Sequence, residues 1–212
     1  MGLIYKTSFF ILLNLLISNI SFSQSDFQTW PTIELSGEIV DDLDIKFKYR
    51  SKYDHDEGSP ESSWFDMGLS YKYEKFSFGL FYKELHRNKS SGNKLEKRPY
   101  IDLTYRINKN MKIRLRNAFR IRENNENIFR NRLRYLYTLR LWKKIRPFAI
   151  NELFFSERQL KRNRVGIGSE IKLNKKMNLK PSYIFEFFRD KNNNSVSWTN
   201  LSALILSLEI DI

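Results

Sequence analysis

Polar and apolar residues alternate along most of this chain. Residues 43–53 (LDIKFKYRSKY) put Leu43, Ile45, Phe47, Tyr49 and Tyr53 on one face, interrupted only by Ser51, and Asp44, Lys46, Lys48, Arg50 and Lys52 on the other. Successive side chains of a strand point to opposite faces, so the pattern predicts a strand with one greasy and one charged side. A helix would scatter the same charges around its circumference.

The pattern recurs at 64–73 (Phe65, Met67, Leu69, Tyr71 and Tyr73 against Trp64, Asp66, Gly68, Ser70 and Lys72) and at 76–87 (Phe76, Phe78, Leu80 and Tyr82 against Ser77, Gly79, Lys83 and Arg87). It continues at 99–107, 111–122 and 129–141, the last carried as far as Leu139 and Leu141. Residues 147–155 are apolar on both faces apart from Asn151 and Glu152; 164–173, 177–188 and 197–212 alternate again. An eleventh segment, 28–39, sets Trp30, Ile33, Leu35 and Ile39 against Glu34, Ser36 and Glu38, with Pro31 making its start irregular.

The connections have two lengths. Short turns are expected at 41–42, 74–75, 108–110, 143–144 and 174–176, and longer polar loops at 54–62, 88–97, 123–127, 156–163 and 190–195. Tight turns at one end and longer loops at the other describe an up-and-down membrane barrel. Single-chain bacterial barrels usually have an even number of strands, so ten or twelve are expected: either 28–39 is not a full strand, or a twelfth is hidden.

Period two does not say which face points outward. A soluble lipocalin-like barrel would hold the apolar face inside. Against this, the segments outnumber eight, most are long enough for a tilted membrane crossing, and the apolar face carries tyrosines and Trp198 near its ends, as interfacial girdles do. The apolar face is therefore expected to meet lipid, and the charged face to enclose a lumen.

The N-terminus sets the compartment. Lys6, the apolar run 9–20 and the small residues Ser21 and Ser23 read as an export signal cleaved after Ser23, leaving 24–212 as one barrel domain. Twelve residues interrupted by Asn14 and Asn19 are too few for a spanning helix. There is no cysteine, hence no disulfide and no lipid-attachment site. A formal charge of +13 would suggest nucleic acid in a cytosolic protein. Behind an export signal the expected partners are instead outer-membrane lipids and lipopolysaccharide, small anions, and the barrel-assembly machinery during insertion, with no nucleic acid.

Trp30, the pair Arg98-Pro99, the arginine-spaced run from Arg114 to Arg134, the stretch Asn151 to Phe155, and Asn163-Arg164 with Gly166 and Gly168 resemble the uncharacterised bacterial outer-membrane family called domain of unknown function 2490. The resemblance spans nearly the whole chain after the leader. It implies a membrane barrel and brings no activity and no site residues.

The most distinctive chemistry is basic. Arg114, Arg116, Arg120 and Arg122 share one face, and Arg130, Arg132 and Arg134 share the matching face of the next segment. In a hairpin these seven guanidiniums would crowd one lumen wall, at a cost of a few tenths to about 1 kcal/mol for each directly opposed pair. Compensation is expected from water, a bound anion, or lumen acids, chiefly Asp102, Glu152, Glu170 and Glu186, with Arg132–Glu152 the preferred contact. Asp44, Asp66 and Glu209 also fall on lumen positions.

These residues point to a structural or interaction barrel with a salt-bridged, largely filled lumen, with a narrow anion-preferring channel as the alternative. An enzyme is not expected. His55 and His86 are the only histidines, and neither Ser51 nor Ser62 near His55 amounts to a triad. Two separated histidines without cysteine give no metal-ligand spacing, and no cofactor is expected. Gly166 and Gly168 read as room inside a strand rather than a phosphate loop. The sequence thus predicts an all-β transmembrane barrel of about ten to twelve strands in a bacterial outer membrane.

Overall fold

The computed structural model describes residues 26–54, 60–88, 92–122, 126–140, 142–192 and 195–212, with backbone alone at 26 and 190–197. The expected export signal at 1–23 and His55 lie outside them, as do parts of four of the expected longer loops.

Eleven strands close into one barrel. They are β1 (Asp26–Val40), β2 (Leu43–Asp54), β3 (Pro60–Tyr73), β4 (Phe76–Arg87), β5 (Lys94–Arg106), β6 (Met111–Arg122), β7 (Ile128–Thr138), β8 (Ile145–Ser156), β9 (Gln159–Lys172), β10 (Met177–Asn192) and β11 (Ser195–Asp211). Every sequential pair is antiparallel; β1 and β11 close the ring in parallel, from Asp26 beside Leu201 to Ser36 beside Asp211. The expected even count therefore fails. Segment 28–39 is a complete strand, and an odd number closes because the first and last strands run the same way.

Pro31 sits inside that seam. It lies opposite Leu206 of β11, while the pairing with β2 skips from Thr29–Tyr53 to Thr32–Arg50. Pro99 and Pro181 coincide with the same kind of skip, towards β6 and β9. A proline has no N–H to give a ladder, so each costs one side of its strand a rung.

Odd-numbered side chains of β2, β3 and β5 to β9, and even-numbered ones of β4, point outward, and the large apolar ones stay exposed: Phe47 41%, Ile101 54%, Ile167 60% and Leu80 66%. A soluble monomer rarely shows apolar patches beyond a few hundred Å². A band of this kind running round the barrel is a surface for hydrocarbon, which these 11- to 17-residue strands are long enough to cross. Tyr71, Tyr73, Phe76, Tyr105, Tyr137 and Trp142 are all exposed at the short-turn end, where Phe76 and Tyr105 pack with ring centroids 4.9 Å apart. Among the described residues no helix is long and apolar enough to cross a membrane.

Two expected loops are extended hairpins instead. β8 and β9 join through Glu157 and Arg158 alone, both at positive φ (53° and 62°), the backbone of a tight primed turn. β10 runs to Asn192 and β11 begins at Ser195, so most of the expected loop 190–195 is strand. At the other end β7 stops at Thr138: Leu139 and Arg140 belong to the connection to β8, and Leu141 lies outside the described residues.

Trp30 corrects a face. It points into the lumen with Glu34, not outward with Ile33 and Leu35, because its parity is that of Glu34. It is fully buried against Ile150, Ile184, Ala203 and Ile205, an apolar cluster backing the seam from inside. Gly166 and Gly168 do give room here. A Cβ at Gly166 would stand 2.7 Å from Ile184, and one at Gly168 would stand 2.6 Å from the Phe148 ring.

Candidate lumen site

The strands β5 to β10 aim alternate charged residues into one cavity of about 1290 Å³ that also takes in Trp30, Trp64, Tyr100 and Phe154. Its described lining holds 22 lysines and arginines against 9 aspartates and glutamates, or 12 with Asp44, Glu96 and Glu186, which pair with lining cations, so carboxylates cannot neutralise the wall one for one.

Six of the seven predicted wall arginines line this cavity: Arg114, Arg116, Arg120, Arg130, Arg132 and Arg134. Arg122 does not. It stands at the end of β6 and turns into the β6–β7 connection, donating from Nη2 to the Glu126 carbonyl at 2.6 Å. The register sets Arg114 directly opposite Arg134 and Arg116 opposite Arg132, the like-charge pairing that the alternation implied.

The predicted acids sit among them. Asp102 takes Arg116 in a two-pronged contact, 2.7 Å at each oxygen, and lies 3.7 Å from Arg114. Glu152, 2% exposed, reaches Arg132 at 3.2 Å, Arg164 at 2.9 Å and Arg134 at 3.7 Å. Arg132 and Glu152 are therefore in contact. Glu186 holds Arg162 at 2.5 Å and also Arg164. Glu170 lies apart, between Arg146 at 3.1 Å and Lys180 at 3.4 Å, and Lys180 goes on to Glu209 at 2.6 Å. Asp44 pairs with Lys72 at 2.9 Å, and Asp66 accepts the Tyr100 hydroxyl at 2.5 Å.

The neutralisation is incomplete. The 3.7 Å approaches of Arg114 and Arg134 are too long for hydrogen bonds. The buried Nε atoms of Arg114, Arg132 and Arg134 have no hydrogen-bond partner among the described residues. Arg130 has no carboxylate contact there either; its guanidinium lies 4.7 Å from the centre of the Phe154 ring.

Several participants were not among the predicted residues. Glu96 and Arg162 fell in stretches taken for loops, yet both are in strands. Glu96 binds Arg98, Arg120 at 2.5 Å and Arg87 at 3.4 Å. Inward aromatic rings also stand in for acids. Lys52 sits 4.1 Å over Trp30, Lys83 3.8 Å over Trp64, and Arg116 3.7 Å over Tyr100, as the negative face of a ring permits. The signal was available: Trp30, Trp64, Tyr100 and Phe154 share the parity of the lumen charges on their own strands.

His86 is exposed on the outer face, 3.1 Å from Glu84, which also accepts the Tyr82 hydroxyl at 3.2 Å. Among the described residues no three His, Asp or Glu side chains are grouped to hold a metal.

A family profile described as "Protein of unknown function (DUF2490)" matches residues 27–197. The chain belongs to that family. The match takes in most of the barrel and every lumen residue above except Ala203, Ile205 and Glu209. No curated protein matches the chain. Two solved structures are similar to it. One is described as the Salmonella typhi OmpF complex with daunomycin (14% identity, 78% of this chain and 58% of that one, TM-score 0.36). The other is a triple mutant of Rh. blastica porin (7% identity, 80% of this chain and 86% of that one, TM-score 0.28). The aligned part is thus a little over half the length of the first.

Proposed function

We propose that this DUF2490 barrel resides in a bacterial outer membrane and gives small anions a route into, and through, its lumen. One observation carries the reading: an open cavity whose described lining has 22 cationic side chains, against 12 carboxylates even when Asp44, Glu96 and Glu186 beside it are counted. Rings and walls of arginine and lysine attract anions and repel cations, most strongly where low-dielectric walls focus the field. A lumen that served only as a salt-bridged plug would pair its charges. Among the described residues Arg130 is left without a carboxylate, and Arg114 and Arg134 only approach theirs. The reading involves no catalysis, and it adds lipid and lipopolysaccharide as the surroundings of the outer face.

The filled-lumen reading keeps one specific support. Glu96, Asp102, Glu152 and Glu186 each bridge two or more arginines on neighbouring strands, which locks strand register. Single-channel recording in planar bilayers under a KCl gradient separates the two. The proposal expects discrete steps with a reversal potential on the chloride side of zero. A silent bilayer containing correctly inserted barrel, or cation preference, overturns it.

A further inference from the structure

Four guanidiniums gather around one buried ring. The Cζ atoms of Arg130, Arg164, Arg132 and Arg162 lie 4.7, 5.2, 5.7 and 5.8 Å from the centre of Phe154. Two carboxylates serve three of them: Glu152 takes Arg132 and Arg164, and Glu186 takes Arg164 and Arg162. The fourth, Arg130, has none among the described residues. On its other side stands Arg120, held by Glu96 together with Arg98. The flanking guanidiniums are thus fixed by acids, while the one between them is left over.

We propose that Arg130, with Arg162 and Arg120 beside it, binds a tetrahedral oxyanion of the phosphate class in the long-loop half of the lumen. The inference rests on the anion-accepting lumen and names what that lumen holds. Four guanidiniums against two carboxylates leave two positive charges near Phe154, matching a doubly charged ligand rather than a halide. The guanidinium fork offers paired N–H groups to two oxygens of one anion, which a spherical ion cannot use. Arg130, Arg120, Arg162 and Phe154 all border the same cavity, so a ligand has access. The Phe154 ring lies 4.7 Å from the Arg130 guanidinium, and among the described residues Arg130 commits no N–H group to a carboxylate, so its fork can turn to a ligand.

The test is calorimetric titration of the full-length barrel in detergent micelles with inorganic phosphate, glycerol phosphate and chloride in turn. The proposal expects saturable phosphate binding that equimolar chloride does not displace. Arg130→Gln should weaken it about tenfold, and Arg130→Lys, which keeps the charge and loses the fork, by less. Lys97→Gln, on the outer face, should leave it unchanged. Glycerol phosphate binding as well as phosphate identifies phosphomonoesters as ligands; phosphate alone identifies the free anion. Absence of phosphate binding, equal displacement by chloride, or an unaltered affinity in both folded Arg130 variants overturns the site. Conductance is a separate readout. A barrel that binds phosphate but passes no anion loses the passage and keeps the site, and one that passes chloride but binds no phosphate loses the site alone.

Discussion

The seam wall and the arginine wall line the same lumen and are held together by opposite means. Beside the seam of β1 and β11 the interior holds an apolar cluster: Trp30, Ile184, Ala203 and Ile205 are buried with Ile150 of β8, and Gly166 supplies the space. Along β5, β6 and β7 the interior is ionic, with directly opposed arginines served by too few acids. The first wall depends on volume and the second on charge balance. The weakest pairing in the ring, a parallel one, is thus backed by apolar packing, and the surplus charge falls on antiparallel hairpins that can bear it.

Three substitutions probe that division. The largest effect is expected at the junction of the two walls. Glu152→Gln keeps shape but leaves Arg132, Arg134 and Arg164 short of a counter-charge, and should cost about 3 kcal/mol in urea unfolding of the vesicle-inserted barrel. A loss under about 0.5 kcal/mol would mean that lumen water already does the acid's work. Next, Gly166→Val forces a side chain into Ile184 and should cost about 1–3 kcal/mol in the same assay, with little change in ion selectivity. Smallest is Arg134→Met. Removing an under-neutralised cation should move stability by less than about 1 kcal/mol in either direction while lowering anion preference. A loss as large as that of Glu152→Gln would show the arginine wall to be as tightly packed as the seam, and the contrast would fail.

Much of this was legible in the residue pattern, and the failures have identifiable physical causes. Alternation located all eleven strands, because a barrel with unlike faces imposes period two almost everywhere. Closure was not legible: which strand lies beside β1 depends on the chain's far end, and nothing local to 28–39 reports Leu201 to Asp211. Pro31 disguised the parity of Trp30 by breaking the run around it. The β8–β9 turn was missed because Glu157-Arg158 carries no glycine or asparagine to announce positive φ. The arginines and the acids Asp102, Glu152 and Glu186 were found because each interrupts a greasy pattern. Glu96 and Arg162 lay beyond the runs judged to be strands, where a charge looks like ordinary loop solubility. Trp30 and Phe154 were counted as grease, and Trp64, though on the charged face, carried no expected partner; only a three-dimensional arrangement shows a tryptophan serving as counter-ion to Lys52.

Every other neighbour in the ring is reached through a short connection, so those ladders can zip one hairpin after the next. The β1–β11 ladder joins Asp26 to Leu201, and the register is finished only when the Ile212 amide donates to the Ser36 carbonyl at 2.8 Å. Contacts so far apart in sequence are entropically the dearest to make and the slowest to find. Until the last strand is in place the first has an unpaired edge, which makes ring closure the rate-setting event in the barrel's assembly and that edge the point at which a half-built barrel is open to the wrong neighbour.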